Sequence, residues 1–176
     1  PYEMGGDEAS EAGLQAKIIG SIKSGRTSAL DTVHSAHDLK MEGVDLILFV
    51  GGDGTAQDIF KAVGTSVAVL GAPSGVKTYS SVFAATPSAA AEAVLKYFEG
   101  KLTLREAEVL DIDEEELRRD RLELKLYGYL KIPFEPTLIQ GSKSASPVDE
   151  DERIDQMAVA RCVAEVMERD VVYIIG

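Results

Sequence analysis

The sequence predicts an α/β fold: a parallel sheet with helical crossovers, followed by a β-rich stretch. Three observations carry this reading. Short apolar runs at 44–50 and 66–70 alternate with segments of helical period, the order expected of a parallel sheet. Two loops rich in glycine, serine and threonine follow those runs directly, at 51–55 and 71–81. Beyond residue 101 the period shortens to that of strands.

Taken in order, residues 1–16 carry no clear pattern, and 17–22 is a short apolar run that reads as a strand. Residues 27–41 form a helix on the spacing of Leu30, Val33, His34, His37 and Leu39, with Thr27 or Ser28 as its cap and Gly43 beyond its end. The run 44–50 is nearly continuous in apolar residues, as expected of a strand with both faces covered. A helix over 55–63 follows, its Thr55-x-x-Asp58 pattern resembling a capping box. After the strand at 66–70 and its loop, Thr86-Pro87 opens a helix that runs to Gly100, with Thr86 at the N-cap and Pro87 at N1. Residues 102–112 and 122–132 read as strands lying outside the parallel sheet. The second alternates Leu122, Leu124 and Leu126 with polar residues, so one face is wetter. Residues 133–147 form a proline-containing loop, 149–169 a helix, and 171–175 a buried strand. The expected division is 1–100 for the α/β domain that holds the glycine loop, and 101–148 for the start of the β-rich domain. Residues 149–176 belong to the second domain or return to the first. The chain opens on Pro1 and ends on Gly176 directly after a strand-like run, so elements missing at both ends are expected.

Charge and cysteine content narrow the partners. The 176 residues carry a net charge of −12, which repels polyanionic nucleic acid and anionic membranes alike. An anionic substrate therefore needs local help from amides, a few cations or a metal ion. The single cysteine, Cys162, excludes an intrachain disulfide and fits a cytoplasmic origin. No apolar run approaches the length of a membrane span, and no signal peptide is visible. A homo-oligomer is the expected assembly.

The first loop, Gly51-Gly52-Asp53-Gly54-Thr55, carries the chemistry. Glycines at a strand end let main-chain N–H groups approach a ligand, and the following helix points its positive end at the same place. Asp53 is the unusual member, because a carboxylate in a phosphate loop is electrostatically wrong unless it acts. It can take the proton of a hydroxyl nucleophile or help hold the Mg²⁺ that bridges phosphates. The plainer alternative is a tight turn with Asp53 capping a helix. The second loop nearly spells a Walker A sequence, but Val76 stands where that motif needs glycine before Lys77-Thr78, which excludes a P-loop. Its better reading is a second phosphate- or ribose-contacting loop in which Ser74, Gly75 and Thr78 donate hydrogen bonds and Lys77 supplies charge. An ordinary connection with an exposed lysine is the alternative.

These residues carry a family resemblance. The segment Val44-Asp45-Leu46-Ile47-Leu48-Phe49-Val50-Gly51-Gly52-Asp53-Gly54-Thr55 resembles the hallmark of the ATP-NAD kinase superfamily, which includes diacylglycerol and sphingosine kinases. Residues 70–84 (LGAPSGVKTYSSVFA), 108–114 (EVLDIDE) and 126–133 (LYGYLKIP) resemble an archaeal and bacterial ATP-NAD kinase-like branch grouped with the AcoX proteins. The resemblance implies an NAD kinase-like, parallel three-layer α/β nucleotide-binding domain followed by a β-rich second domain, with the site between them. It implies that Asp53 acts on the acceptor hydroxyl, the ribose 2′-OH of NAD, and that Gly51, Gly52, Gly54 and Thr55 lie along phosphates. ATP or polyphosphate would be the donor, with Mg²⁺ or another divalent cation required. The family's Asn-Glu/Asp motif for the dinucleotide has no clear counterpart, so NAD and other alcohols both stand as acceptors.

Weaker candidates have plainer explanations beside them. His34 and His37, three apart on a helix, can share a face, but surface histidines are commoner than metal ligands. Asp111, Asp113 and Glu114, Glu115 and Glu116 can supply a carboxylate to a metal, or simply mark a strand end and a solvated helix start. A non-catalytic nucleotide-binding module of AcoX type is the rival to a kinase. A Rossmann dehydrogenase is a poorer fit, because the loop lacks the Gly-x-Gly-x-x-Gly register.

Overall fold

In the computed structural model, residues 2–75, 77–112 and 123–141 are described; the chain divides into two compact units, Pro1–Lys143 and Ser144–Gly176. The expected helix at 149–169, the strand at 171–175 and Cys162 lie outside the described residues.

The described unit is a mixed α/β structure with a four-stranded sheet. After π-type turns at Tyr2–Gly6 and a short helix α1 (Asp7–Glu11), the order is α2 (Ala29–Met41), β1 (Leu46–Gly51), α3 (Asp53–Val63), β2 (Ala68–Pro73), α4 (Pro87–Phe98), β3 (Thr103–Ile112) and β4 (Leu124–Phe134). The strands lie in the order β1-β2-β4-β3. β1 and β2 are parallel with Leu46 opposite Ala68, as a β-α-β crossover requires. β2 meets β4 through the pair Ala68 and Lys131, and β3 pairs antiparallel with β4 along its whole length.

Local sequence explains most of the boundaries. Asp31 closes the start of α2 by accepting from both the N–H and the hydroxyl of Ser28, at 2.7 and 2.8 Å. Thr86 caps α4 by accepting from the N–H of Ala89, with Pro87 in the first turn. α3 turns Ala56, Ile59 and Val63 inward at helical spacing. α4 presents the small Ala90 and Ala93. The core between these helices and the sheet is built from Ile47, Phe49, Val69, Leu70, Phe83, Val109, Leu130 and Ile132.

Four expectations are corrected. Residues 17–22 form no strand: Ile18 is exposed and the segment is irregular, so an apolar run without a pairing partner does not make one. β1 is covered on one face only. Ile47 and Phe49 are buried, whereas Leu48 and Val50, on the opposite face, are 49% and 69% exposed, because no described element packs over that face. β2 is buried from Ala68 to Ala72, the most enclosed of the described strands. The strands at 103–112 and 124–134 belong to the same sheet as β1 and β2, not to a separate one. The expected alternation does not set a dry face at the start of β4, where Lys125, Leu126 and Tyr127 are all exposed; Leu130 and Ile132 farther along are fully buried. Finally, α3 begins at Asp53 rather than Thr55. Its N-cap is Gly52, whose carbonyl accepts from Ala56, and Asp58 pairs with Lys61 instead of closing a capping box.

No helix among the described residues is long and apolar enough to cross a membrane.

Candidate functional site

The two glycine loops meet at Asp53. β1 delivers the chain to Gly51, the extended Gly52 turns it, and Asp53 opens α3. Thr55 folds back over the strand end so closely that a Cβ on Gly51 would lie 2.5 Å from Thr55 Oγ1, which is why glycine stands there. Gly54, by contrast, is exposed and faces open space at the positive end of the helix.

Asp53 is 7% exposed, and both of its carboxylate oxygens are engaged. Oδ2 accepts from the main-chain N–H of Tyr79 at 2.8 Å and Oδ1 from that of Ser80 at 2.9 Å. A buried carboxylate held by two amides of another loop is a clamp: it fixes the second loop against the start of α3. The clamp leaves lone pairs on each oxygen, since a carboxylate offers about four acceptor positions.

The second loop divides into an open half and a buried half. Ser74, Gly75 and Lys77 are exposed, with Gly75 in the left-handed region at φ 85°. Lys77 Nζ lies 5.1 Å from the centre of the Tyr79 ring, a cation–π contact. Thr78 is buried, and its hydroxyl donates to Gln140 Oε1 at 3.0 Å. Gln140 is in turn anchored to Phe83 and Ala84 through its N–H and its side-chain amide. Ser80 is fully buried and ties the loop to β3. Its hydroxyl donates to the carbonyl of Leu110 and accepts from the N–H of Leu110, both at 2.9 Å.

One turn along α3 from Asp53, the side-chain amide of Gln57 donates to Asp111 Oδ2, whose other oxygen accepts from the N–H of Ile112. Asp111, read from sequence as a possible metal carboxylate, therefore joins α3 to β3. Asp113 and Glu114, Glu115 and Glu116 lie outside the described residues. His34 and His37 are both exposed, with His37 Nδ1 3.6 Å from Asp38. Among the described residues no group of three or more histidine, cysteine or acidic side chains could hold a metal. A cavity of about 320 Å³ near the chain start, lined by Tyr2, Asp7, Ser10 and Leu14 among others, shares no residue with the loops.

Tyr79, Ser80, Gln57 and Gln140 were not legible from sequence as site residues. Tyr79 and Ser80 contribute main-chain groups, and no residue type signals an amide that will meet a carboxylate 26 or 27 positions away.

The same geometry coincides with a family match. Residues 2–102, more than half of the chain and including both loops and α4, match the ATP-NAD kinase N-terminal domain. This chain belongs to the ATP-NAD kinase family. No curated protein and no solved structure matches it. Membership in the ATP-NAD kinase family points to a kinase-like phosphotransferase and to nucleotide ligands.

Proposed function

We propose that the protein transfers a phosphoryl group from ATP, or from polyphosphate, to an alcohol, with the 2′-hydroxyl of NAD as the first acceptor to test. The observation that carries this reading is Asp53. It is a buried carboxylate at the start of α3, inside the glycine loop and clamped to the second loop by the amides of Tyr79 and Ser80. A carboxylate oriented from two sides can serve as a general base for a hydroxyl while its own position stays fixed. The family match covers both loops and supports the same chemistry. The resemblance of residues 70–84 and 126–133 supports a place in the AcoX-like branch.

In this reading the donor phosphates lie along the main-chain amides of Gly51, Gly52, Gly54 and Thr55, at the positive end of α3. Ser74, Gly75 and Lys77, all at the surface of the second loop, close over them. Asp53 takes the acceptor's proton through a free lone pair. The acceptor oxygen bonds to the terminal phosphorus, and the bond to the bridging oxygen breaks to release ADP or shortened polyphosphate.

Divalent metal chemistry belongs to the substrate here. Both oxygens of Asp53 and both of Asp111 already accept protein hydrogen bonds. Mg²⁺ is commonly carried on the phosphates of the nucleotide itself, and the remaining lone pairs of these carboxylates would face it there.

The test is a screen of NAD, NADH and other alcohols against ATP and polyphosphate with the full chain, read by product mass. Phosphorylated NAD supports the full reading; another phosphorylated alcohol keeps the phosphotransferase and replaces NAD. Tight nucleotide binding without any product removes the phosphotransferase and leaves a binding module.

A further inference from the structure

We propose that Ser80 is the positioning residue of this site: its hydroxyl holds Asp53 in place by locking the second loop onto β3. The proposal rests on the reading of Asp53 as the group that handles the acceptor hydroxyl.

Ser80 joins three elements through one residue. Its N–H donates to Asp53 Oδ1, and its Oγ both donates to and accepts from the main chain of Leu110. Leu110 stands where the β3–β4 ladder slips. Val109 pairs with Gly128 and Leu110 with Leu126, so Tyr127 is skipped. A bulge of this kind re-aims main-chain groups and recurs beside active sites. A hydroxyl suits the task, since it gives one proton and accepts in return within the space of a single side-chain atom. At 1% exposure the hydroxyl is shielded from bulk solvent.

Tyr79 contributes differently. Its amide reaches Asp53, but its ring is only partly buried and lies under Lys77, and among the described residues its hydroxyl makes no hydrogen bond to the sheet. The tie comes from Ser80, with the N–H of Ser81 adding a bond to the carbonyl of Glu108.

α3 has a second, separate attachment to β3 one helical turn on, where Gln57 meets Asp111. Two attachments a turn apart fix both the place and the rotation of the helix start. Losing the Ser80 hydroxyl leaves the Gln57 link and the Ser81 bond to Glu108, so the fold persists while the amides that hold Asp53 are less firmly placed.

Amide exchange measured by NMR on the full chain tests this without any substrate. Ser80→Ala is expected to speed exchange of the amides at 79 and 80 by about tenfold, while Ala90 in α4 holds its protection. Unchanged amides at 79 and 80 overturn the proposal, because Asp53 is then held without the hydroxyl. An equal acceleration at Ala90 also overturns it, because Ser80 is then general core support. Should Ser80→Ala not fold, the unmodified chain decides the matter in dilute denaturant. The amides of Ser80 and Leu110 must open with the same free energy, and independent opening refutes the lock.

Turnover gives the second arm, on whichever acceptor the screen supplies. Ser80→Ala should lower kcat with the donor KM unchanged, and the reverse split contradicts a positioning role. An unmodified chain without turnover sinks the phosphotransferase reading alone, leaving the exchange result to stand or fall separately.

Discussion

Replacing Asp53 by asparagine tests the clamp and the chemistry together, and the structure separates the two. Asp53 offers two equivalent acceptor oxygens to two N–H donors, Tyr79 at 2.8 Å and Ser80 at 2.9 Å. Asparagine keeps one oxygen and presents an NH₂ in place of the other, so one amide meets a donor instead of an acceptor. At 7% exposure bulk water compensates only part of that loss. A buried donor left unpaired costs about 1–3 kcal/mol, and the surviving bond loses its charge assistance. Asp53→Asn should therefore lower stability by about 2–3 kcal/mol in urea denaturation with an unchanged m-value. Asp53→Ala, which removes both acceptors, should lower it further. A variant within about 0.5 kcal/mol of the unmodified chain would refute the clamp, since that is the scatter of neutral surface changes. Lost turnover in Asp53→Asn thus carries weight for the base role only when read at a temperature where the variant stays folded.

Two further outcomes follow from the packing and the ion pairs. The ring of Phe60 lies directly over Gly128, where any Cβ would overlap it; Gly128→Ala should cost about 1–3 kcal/mol, and Phe60→Leu in the same chain should recover part of it by calorimetry. Glu135 is held below the usual carboxylate range, chiefly by its hydrogen bond from Lys96, so the native state binds its proton less readily than the unfolded chain does. The stability from this pair is present above the unfolded pKa of 4.5 and is lost as the pH falls through the lower folded value. Glu135→Gln should flatten the decline in urea midpoint between about pH 5 and about pH 3, and an unchanged slope would show that the pair does not contribute.

Much of the α/β core could be read from residue order alone. The strands at Leu46–Gly51 and Ala68–Pro73 and the helix opened by Thr86-Pro87 follow from apolar runs and capping chemistry, which act within a few residues. The run at 17–22 misled because apolar residues specify burial without specifying a partner strand. The exposed Leu48 and Val50 show the converse: strand identity is local, but coverage depends on which neighbours arrive. The placement of β3 and β4 in the first sheet is likewise a matter of long-range pairing, at Ala68 and Lys131, that periodicity does not encode. At the site, Asp53 stood out because a carboxylate is conspicuous among glycines. Its clamp did not, because amides are common to every residue but proline.

β1 has one more consequence, for the protein as a colloid. Leu46–Gly51 is an uncharged, proline-free hexapeptide at the edge of the sheet among the described strands, with Leu48 and Val50 turned to solvent. Segments of that composition are the ones that stack between chains when exposed. What opposes this is the charge of −12, which keeps molecules apart over roughly a Debye length, about 10 Å at 0.1 M salt. The strand that aims Asp53 is thus also the segment most inclined to self-associate among the described strands, and its solubility is set by ionic strength rather than by its own residues.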